Sequence, residues 1–149
     1  MANMNNYLEN KLIDLLFRTT AYSAPASVYI ALSTGALTDA STGASMSEVT
    51  GGAYARQTVQ CALATWFSTD AQTTAVSAGT GGTTSNVAAI TFPVATADWG
   101  TVTGVVITDS ATTGTGNALF WGTLTSNKVV SNGDTFSFAA GSLSIQIDN

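Results

Sequence analysis

The chain has 149 residues, 45% of them hydrophobic, enough for one domain with a buried core. Only 9% are charged, against about 25% in an average soluble domain. There is no histidine, which excludes histidine acid–base catalysis and a Ser-His-Asp site, and four scattered cations on a net charge of −5 cannot form a nucleic-acid face.

A surface of hydroxyls and small side chains is weakly hydrated and carries little long-range repulsion, which suits a surface covered by other subunits. The bland alternative is a monomeric, threonine-rich β domain. The first residues, Met1 to Asn6, show no basic segment followed by an apolar stretch, so no signal peptide is expected and synthesis in a cytosol is. No apolar run approaches the roughly 20 residues of a membrane span.

In chain order, residues 6–18 are expected to form a helix. Asn6 can cap it and Glu9 can close a capping box. Leu8, Leu12, Leu15 and Leu16 fall on one face, widened by Ile13 and Phe17, and Asp14 and Arg18 form an i, i+4 charge pair.

The periodicity then changes to two. Ser27 to Ser33 reads as a strand, followed by a long Ser/Thr/Gly/Ala loop over residues 34–52. Ala53 to Gln60 alternates as a strand that runs on towards Trp66-Phe67, with Gly51-Gly52 as a tight turn before it. Cys61 cannot form an internal disulfide and is expected as a buried thiol. A second long loop is expected over residues 68–86. Strands follow at Val87–Phe92, Val102–Thr108, Ala118–Leu124, Thr135–Phe138 and Ser142–Ile147, with a turn near Ala95–Gly100 and a type I′ turn at Asn132-Gly133. Together these predict a single mainly β domain over residues 1–149: an antiparallel sandwich or barrel at 27–147 with one N-terminal helix.

Chemistry is sparse. Acids such as Asp39, Glu48, Asp70, Asp98, Asp109, Asp134 and Asp148 stand singly and read as caps or turn residues rather than a glycosidase pair. No Cys/His cluster suits zinc and no Asp-x-Asp-x-Asp-Gly suits calcium. The stretch Gly79-Thr80-Gly81-Gly82-Thr83-Thr84 lacks the lysine and following helix of a phosphate cradle. No enzyme activity, metal or cofactor is expected.

Candidate contact residues are the large groups: Trp66 and Phe67 at a strand exit, Trp99, Tyr54, Phe120 and the cation Arg56. In the adjacent pair Phe120-Trp121 only one ring can face the core, and the other must lie under a helix or loop or against a partner. Arg56 can pair internally with Glu48 or stack on Tyr54 or a tryptophan; such an internal contact is the default, and an intersubunit contact is the sharper alternative.

Several stretches in order, Tyr7 to Leu12, Val28 to Leu32, Glu48 to Gln57, Asn86 to Val102, Gly133 to Phe136 and Ala140 to Leu143, resemble a family of small virion proteins of tailed bacteriophages. The resemblance implies assembly in the host bacterial cytoplasm into a virion. The expected role is a capsid decoration or cement protein on the outer head shell, clamping neighbouring major capsid protein subunits and self-associating as a dimer or trimer. Its loops would reach across the shell and its sheet edges would add hydrogen bonds. A tail fibre or tail-tip component is the alternative, and a carbohydrate-binding β-sandwich module a third. Neither a nucleic acid nor a membrane is expected as partner.

Overall fold

The computed structural model describes residues 3–78 and 81–147. The fold is mainly β and antiparallel, with one helix, and is sandwich-like as expected. No helix among the described residues is long and apolar enough to cross a membrane.

A two-residue strand β1 (Asn3–Met4) leads into helix α1 (Asn6–Phe17). The cap is Asn5 rather than Asn6: its Oδ1 accepts from the Tyr7 N–H at 3.1 Å. The shift follows from tertiary ties, because Asn5 also donates to the carbonyls of Leu119 and Ser41 and is buried by doing so. The Asp14–Arg18 pair is present at 3.4 Å. The apolar face is only half used. Leu8 is buried and Leu12 packs beside it, whereas Ile13, Leu15, Leu16 and Phe17 are exposed.

Strand β2 (Ser27–Ser33) has the predicted bounds and is buried on both faces. Val28, Ile30 and Leu32 face the main core. Ala31 faces a second, smaller cluster that the long loop covers with Leu37 and Met46.

Strand β3 (Gln57–Gln60) is shorter than predicted at its start, because Gly51, Gly52 and Ala53 all take positive φ (73°, 54° and 62°) in the turn before it. It also stops before Trp66, since a turn over Ala62–Trp66 follows. Cys61, at that exit, is exposed rather than buried, because β3 is the edge strand of the sheet. Neighbouring chain still desolvates its thiol enough to raise the pKa.

The second half is one long antiparallel ribbon. Strand β4 (Thr83–Ser85), inside the segment predicted as loop, pairs with a strand at Ser144–Gln146; β5 (Ile90–Thr91) pairs with one at Ser137–Phe138; and β6 (Gly100–Thr108) pairs with β7 (Ala118–Val130). The partners are thus β8 (Ser137–Phe138) and β9 (Ser144–Gln146), nested in order around the hairpin tip at residues 109–117. Backbone bonds carry the ribbon across the gaps: Phe92 N–H to Phe136 C=O, Ala95 N–H to Asp134 C=O and Trp99 N–H to Val130 C=O.

β6 and β7 join the main sheet, ordered β1-β7-β6-β2-β3. The outer part of the ribbon supplies Ile90, Phe92, Phe136, Phe138, Leu143 and Ile145 to the core of that sheet, making the second layer. Phe92, Tyr54, Trp99, Phe136 and Phe138 form a chain of ring contacts with centroids 5.2–6.5 Å apart. Tyr54 and Phe92 stack at 10° and the other pairs meet edge to face, and both arrangements add to the area they bury.

The Asn132-Gly133 turn forms, with Asp134 N–H bonded to Ser131 C=O, but only Gly133 takes positive φ (91°), so it is not type I′. It makes a jog in one side of the ribbon rather than a hairpin end, held by Asp98 and Asp134 carboxylates on the Asn132 and Ser131 N–H groups.

Candidate functional site

The hairpin tip and the long loop 34–52 meet on one side of the sheet, and a buried ion pair fixes them there. The turn at Gly51–Ala53 aims the chain so that Arg56 enters the protein just before β3 begins. Its side chain and that of Glu48 are 0% and 3% exposed. Nε and Nη2 donate to the two carboxylate oxygens, each at 2.7 Å, a bidentate geometry that matches both planes. The remaining donors reach the tip: Nη1 bonds Ser110 C=O at 2.7 Å, Thr115 C=O at 3.0 Å and Thr108 Oγ1 at 3.1 Å, while Nη2 bonds Gly43 C=O at 3.3 Å.

Glu48 returns the connection. Its Oε2 accepts from the Gly114 N–H at 2.9 Å and its Oε1 from the Tyr54 hydroxyl at 3.0 Å. That hydroxyl accepts the Leu32 N–H at 2.8 Å, taking over where β3 no longer runs beside β2. Burial raises the Tyr54 pKa far above its usual value, and the adjacent Glu48 carboxylate adds to this. The cluster leaves no buried side-chain polar atom without a partner among the described residues, which a buried pair requires.

Two close approaches complete the joint. Gly43 N–H donates to Gly116 C=O at 3.0 Å, and a Cβ on Gly43 would lie 1.9 Å from the Thr115 carbonyl oxygen. Asp109 accepts from both the backbone and side-chain amides of Asn117, at 2.7 Å each, closing the tip. The result is a held surface that presents hydroxyl groups and backbone at Thr38, Thr42, Ser45, Thr112 and Thr115, all exposed.

The six contact candidates fall into three places. Arg56 is internal, paired with Glu48. Trp99 is buried, with its indole N–H on the Gly52 carbonyl at 2.9 Å, and Tyr54 packs on it. Neither Arg56 nor Trp99 reaches the surface. Trp66, Phe67 and Phe120 are half-buried; the Trp66 indole N–H caps Gln60 C=O at 3.0 Å. The Phe120-Trp121 pair divides between faces as expected. Phe120 packs on the main core, and Trp121 lies against the second cluster with its N–H on Asp39 Oδ1 at 2.9 Å. An irregular register at Ile107/Thr108 lets Leu119 and Phe120 both serve the main core.

Most of the described loop acids lock turns: Asp70, Asp98, Asp109 and Asp134 accept from turn hydroxyls or amides. Asp39 differs, since its carboxylate accepts the Trp121 indole N–H from across the fold. Asp148, Gly79 and Thr80 lie outside the described residues. After Gly81 and Gly82 the chain enters β4, not a helix. No group of three or more potential metal ligands occurs among the described residues.

Sequence reasoning missed two features: the tip 109–117 as the second partner of Arg56, and the exposed end of α1. The first leaves no local signal. The second does, since Ile13, Leu16 and Phe17 make an i, i+3, i+4 stripe apart from the Leu8–Leu12 side.

The family model described as Podophage GP4 fiber I protein gp80 matches residues 3–146, almost the whole chain. The chain belongs to this family, in line with its resemblance to small virion proteins of tailed phages. No curated protein matches it.

Proposed function

From its membership of a podophage fibre family, we propose that the chain is a tail-fibre component rather than a head-decoration protein. The observation that carries this reading is the clamped loop face. The Arg56–Glu48 pair holds loop 34–52 against the hairpin tip, so a hydroxyl-rich surface is presented without ordering cost at the moment of contact. A surface fixed before contact suits recognition of a receptor by a fibre. The family's identity as a podophage fibre protein favours the same reading over the head shell. No catalytic step is assigned to the chain.

A carbohydrate-binding module of the kind that stacks sugars on a flat row of exposed rings is less well supported. Trp66, Trp99 and Trp121 are each buried or half-buried and spend their indole N–H groups on this chain's own oxygens.

The test is electron cryo-microscopy of intact particles carrying a tagged version of this chain, with the tag detected by a gold-labelled ligand. Label on appendages at the tail is the expected result. Label arrayed over the head shell would overturn the reading and restore the decoration role.

A further inference from the structure

Asn132 is the most labile asparagine in the chain. An asparagine loses its amide when the backbone nitrogen of the next residue attacks its side-chain carbon, and a side chain on that next residue hinders the attack. Only Asn132 is followed by glycine, whereas Asn10, Asn86, Asn117 and Asn127 are followed by Lys, Val, Ala and Lys. Asn132 and Gly133 are both exposed. The φ of 91° at Gly133 is one that a side chain rarely tolerates, so the turn demands the glycine and the labile pair comes with it. The same turn guards the pair. The attacking group, the Gly133 N–H, donates to Ala95 C=O at 2.7 Å. On either side, Asp98 accepts the Asn132 N–H at 2.8 Å and Asp134 accepts the Ser131 N–H at 2.9 Å. Attack requires the Gly133 nitrogen to give up its proton, and the neighbouring carboxylates oppose the negative charge that results.

We propose that Asn132 is a modification site at which the protein ages, converted to aspartate and isoaspartate by water and held back by Ala95 and Asp98 until the jog opens. The Gly133 nitrogen bonds to Asn132 Cγ and gives up its proton, the bond from Cγ to the side-chain nitrogen breaks, and ammonia leaves. A cyclic imide remains. Water then opens it at one of its two carbonyls. Opening at the carbonyl that came from the main chain leaves isoaspartate, in which the backbone runs through the side-chain carbons; opening at the other leaves aspartate. Aspartate places a new negative charge between Asp98 and Asp134, where like charges repel. Isoaspartate lengthens the main chain within the turn, so the Gly133 N–H no longer meets Ala95 C=O. Either product loosens the jog and the Ala95–Asp134 rung beside it.

The inference stands apart from the fibre reading. Its test is incubation of the full chain at mildly alkaline pH, folded and in urea, with conversion at each asparagine followed by peptide mapping and isoaspartate identified by enzymatic methylation. Asn132 is expected to convert first in both samples, and at least ~10-fold more slowly in the folded one. Asp98→Ala removes a charge-assisted bond from the jog and is expected to speed conversion of the folded chain by about 10-fold. Asp70→Ala, which loses a bond to Ser68 in another turn, is expected to leave the rate unchanged. Circular dichroism checks that the variants keep the fold. Another asparagine converting first would overturn the inference, as would equal rates at Asn132 in the folded and unfolded wild-type chain. A folded Asp98→Ala chain that converts no faster would overturn it too, and the wild-type comparison decides the matter if that variant does not fold.

Discussion

Arg56 grips Glu48 through two parallel hydrogen bonds of 2.7 Å in a place where both side chains are almost wholly out of water. Sequestering the charges is costly, and the bidentate bonds and the backbone carbonyls around them offset that cost. Removing one partner strands the other. Arg56→Met is therefore expected to lower stability by about 3–5 kcal/mol, a large part of what a domain of this size has. Arg56→Met with Glu48→Met together should cost clearly less than the sum of the single changes. Urea unfolding of the three variants checks this, and additive losses would contradict it.

Gly43 makes a second prediction. Its missing Cβ is where the Thr115 carbonyl lies, 1.9 Å from the position the carbon would take. Backbone cannot yield as a side-chain tip does. Gly43→Ala should push loop 34–52 away from the hairpin tip and cost about 1–3 kcal/mol. Hydrogen exchange should show the Gly116 and Gly114 regions losing protection while the β2–β6 pairing keeps it.

Cys61 is exposed, but its thiol pKa is raised by partial desolvation. Reagents should reach it in the folded protein, slowly at neutral pH, with a rate that climbs as pH rises through the range where the thiolate forms. Maleimide labelling followed by mass spectrometry measures the profile. A thiol that reacts only after denaturation would refute the placement.

Tyr54 predicts the alkaline limit of the fold. Its native pKa lies above the unfolded value of 10.0, because burial and then the Glu48 carboxylate disfavour the phenolate. The unfolded chain therefore releases this proton at lower pH than the native one, and stability falls as pH rises beyond about 10. Below that value the group contributes no pH dependence. Tyr54→Phe should flatten this alkaline slope, although losing the hydroxyl's bonds to Leu32 and Glu48 lowers stability at all pH values. Thermal melts between about pH 7 and pH 11 separate the two effects.

Much of the fold was readable where a pattern is local. The apolar alternation of Val28, Ile30 and Leu32 fixes β2 to the residue, and the helix follows from its leucines. The Glu48–Arg56 pair is readable too, since opposite charges eight residues apart flank a glycine turn in a chain with little other charge. What eludes a single sequence is pairing. Thr83–Ser85 is three small polar residues, and only its partner Ser144–Gln146 makes it a strand. Likewise β7 runs on to Val130 through Thr125, Ser126, Asn127 and Lys128, because β6 offers it a ladder, not because its side chains prefer one. The helix cap was misplaced by one residue for the same reason: Asn5 is chosen by Leu119 and Ser41, far along the chain.

The nested ribbon also fixes an order of events during synthesis. Its pairings share one centre, so once the tip at 109–117 closes, each outer pair needs only a short further closure, and the ribbon can zip outward. Strand β2 has no such local route. Its neighbour β6 is made many residues later, and its other neighbour β3 is a short edge strand. Because chains emerge N-terminus first, Ile30, Ala31 and Leu32, all fully buried in the finished fold, wait in water until the hairpin has left the ribosome. The period of greatest aggregation risk for this protein thus extends past the emergence of the hairpin, until Phe136, Phe138, Leu143 and Ile145 have followed to cover the core face of β2.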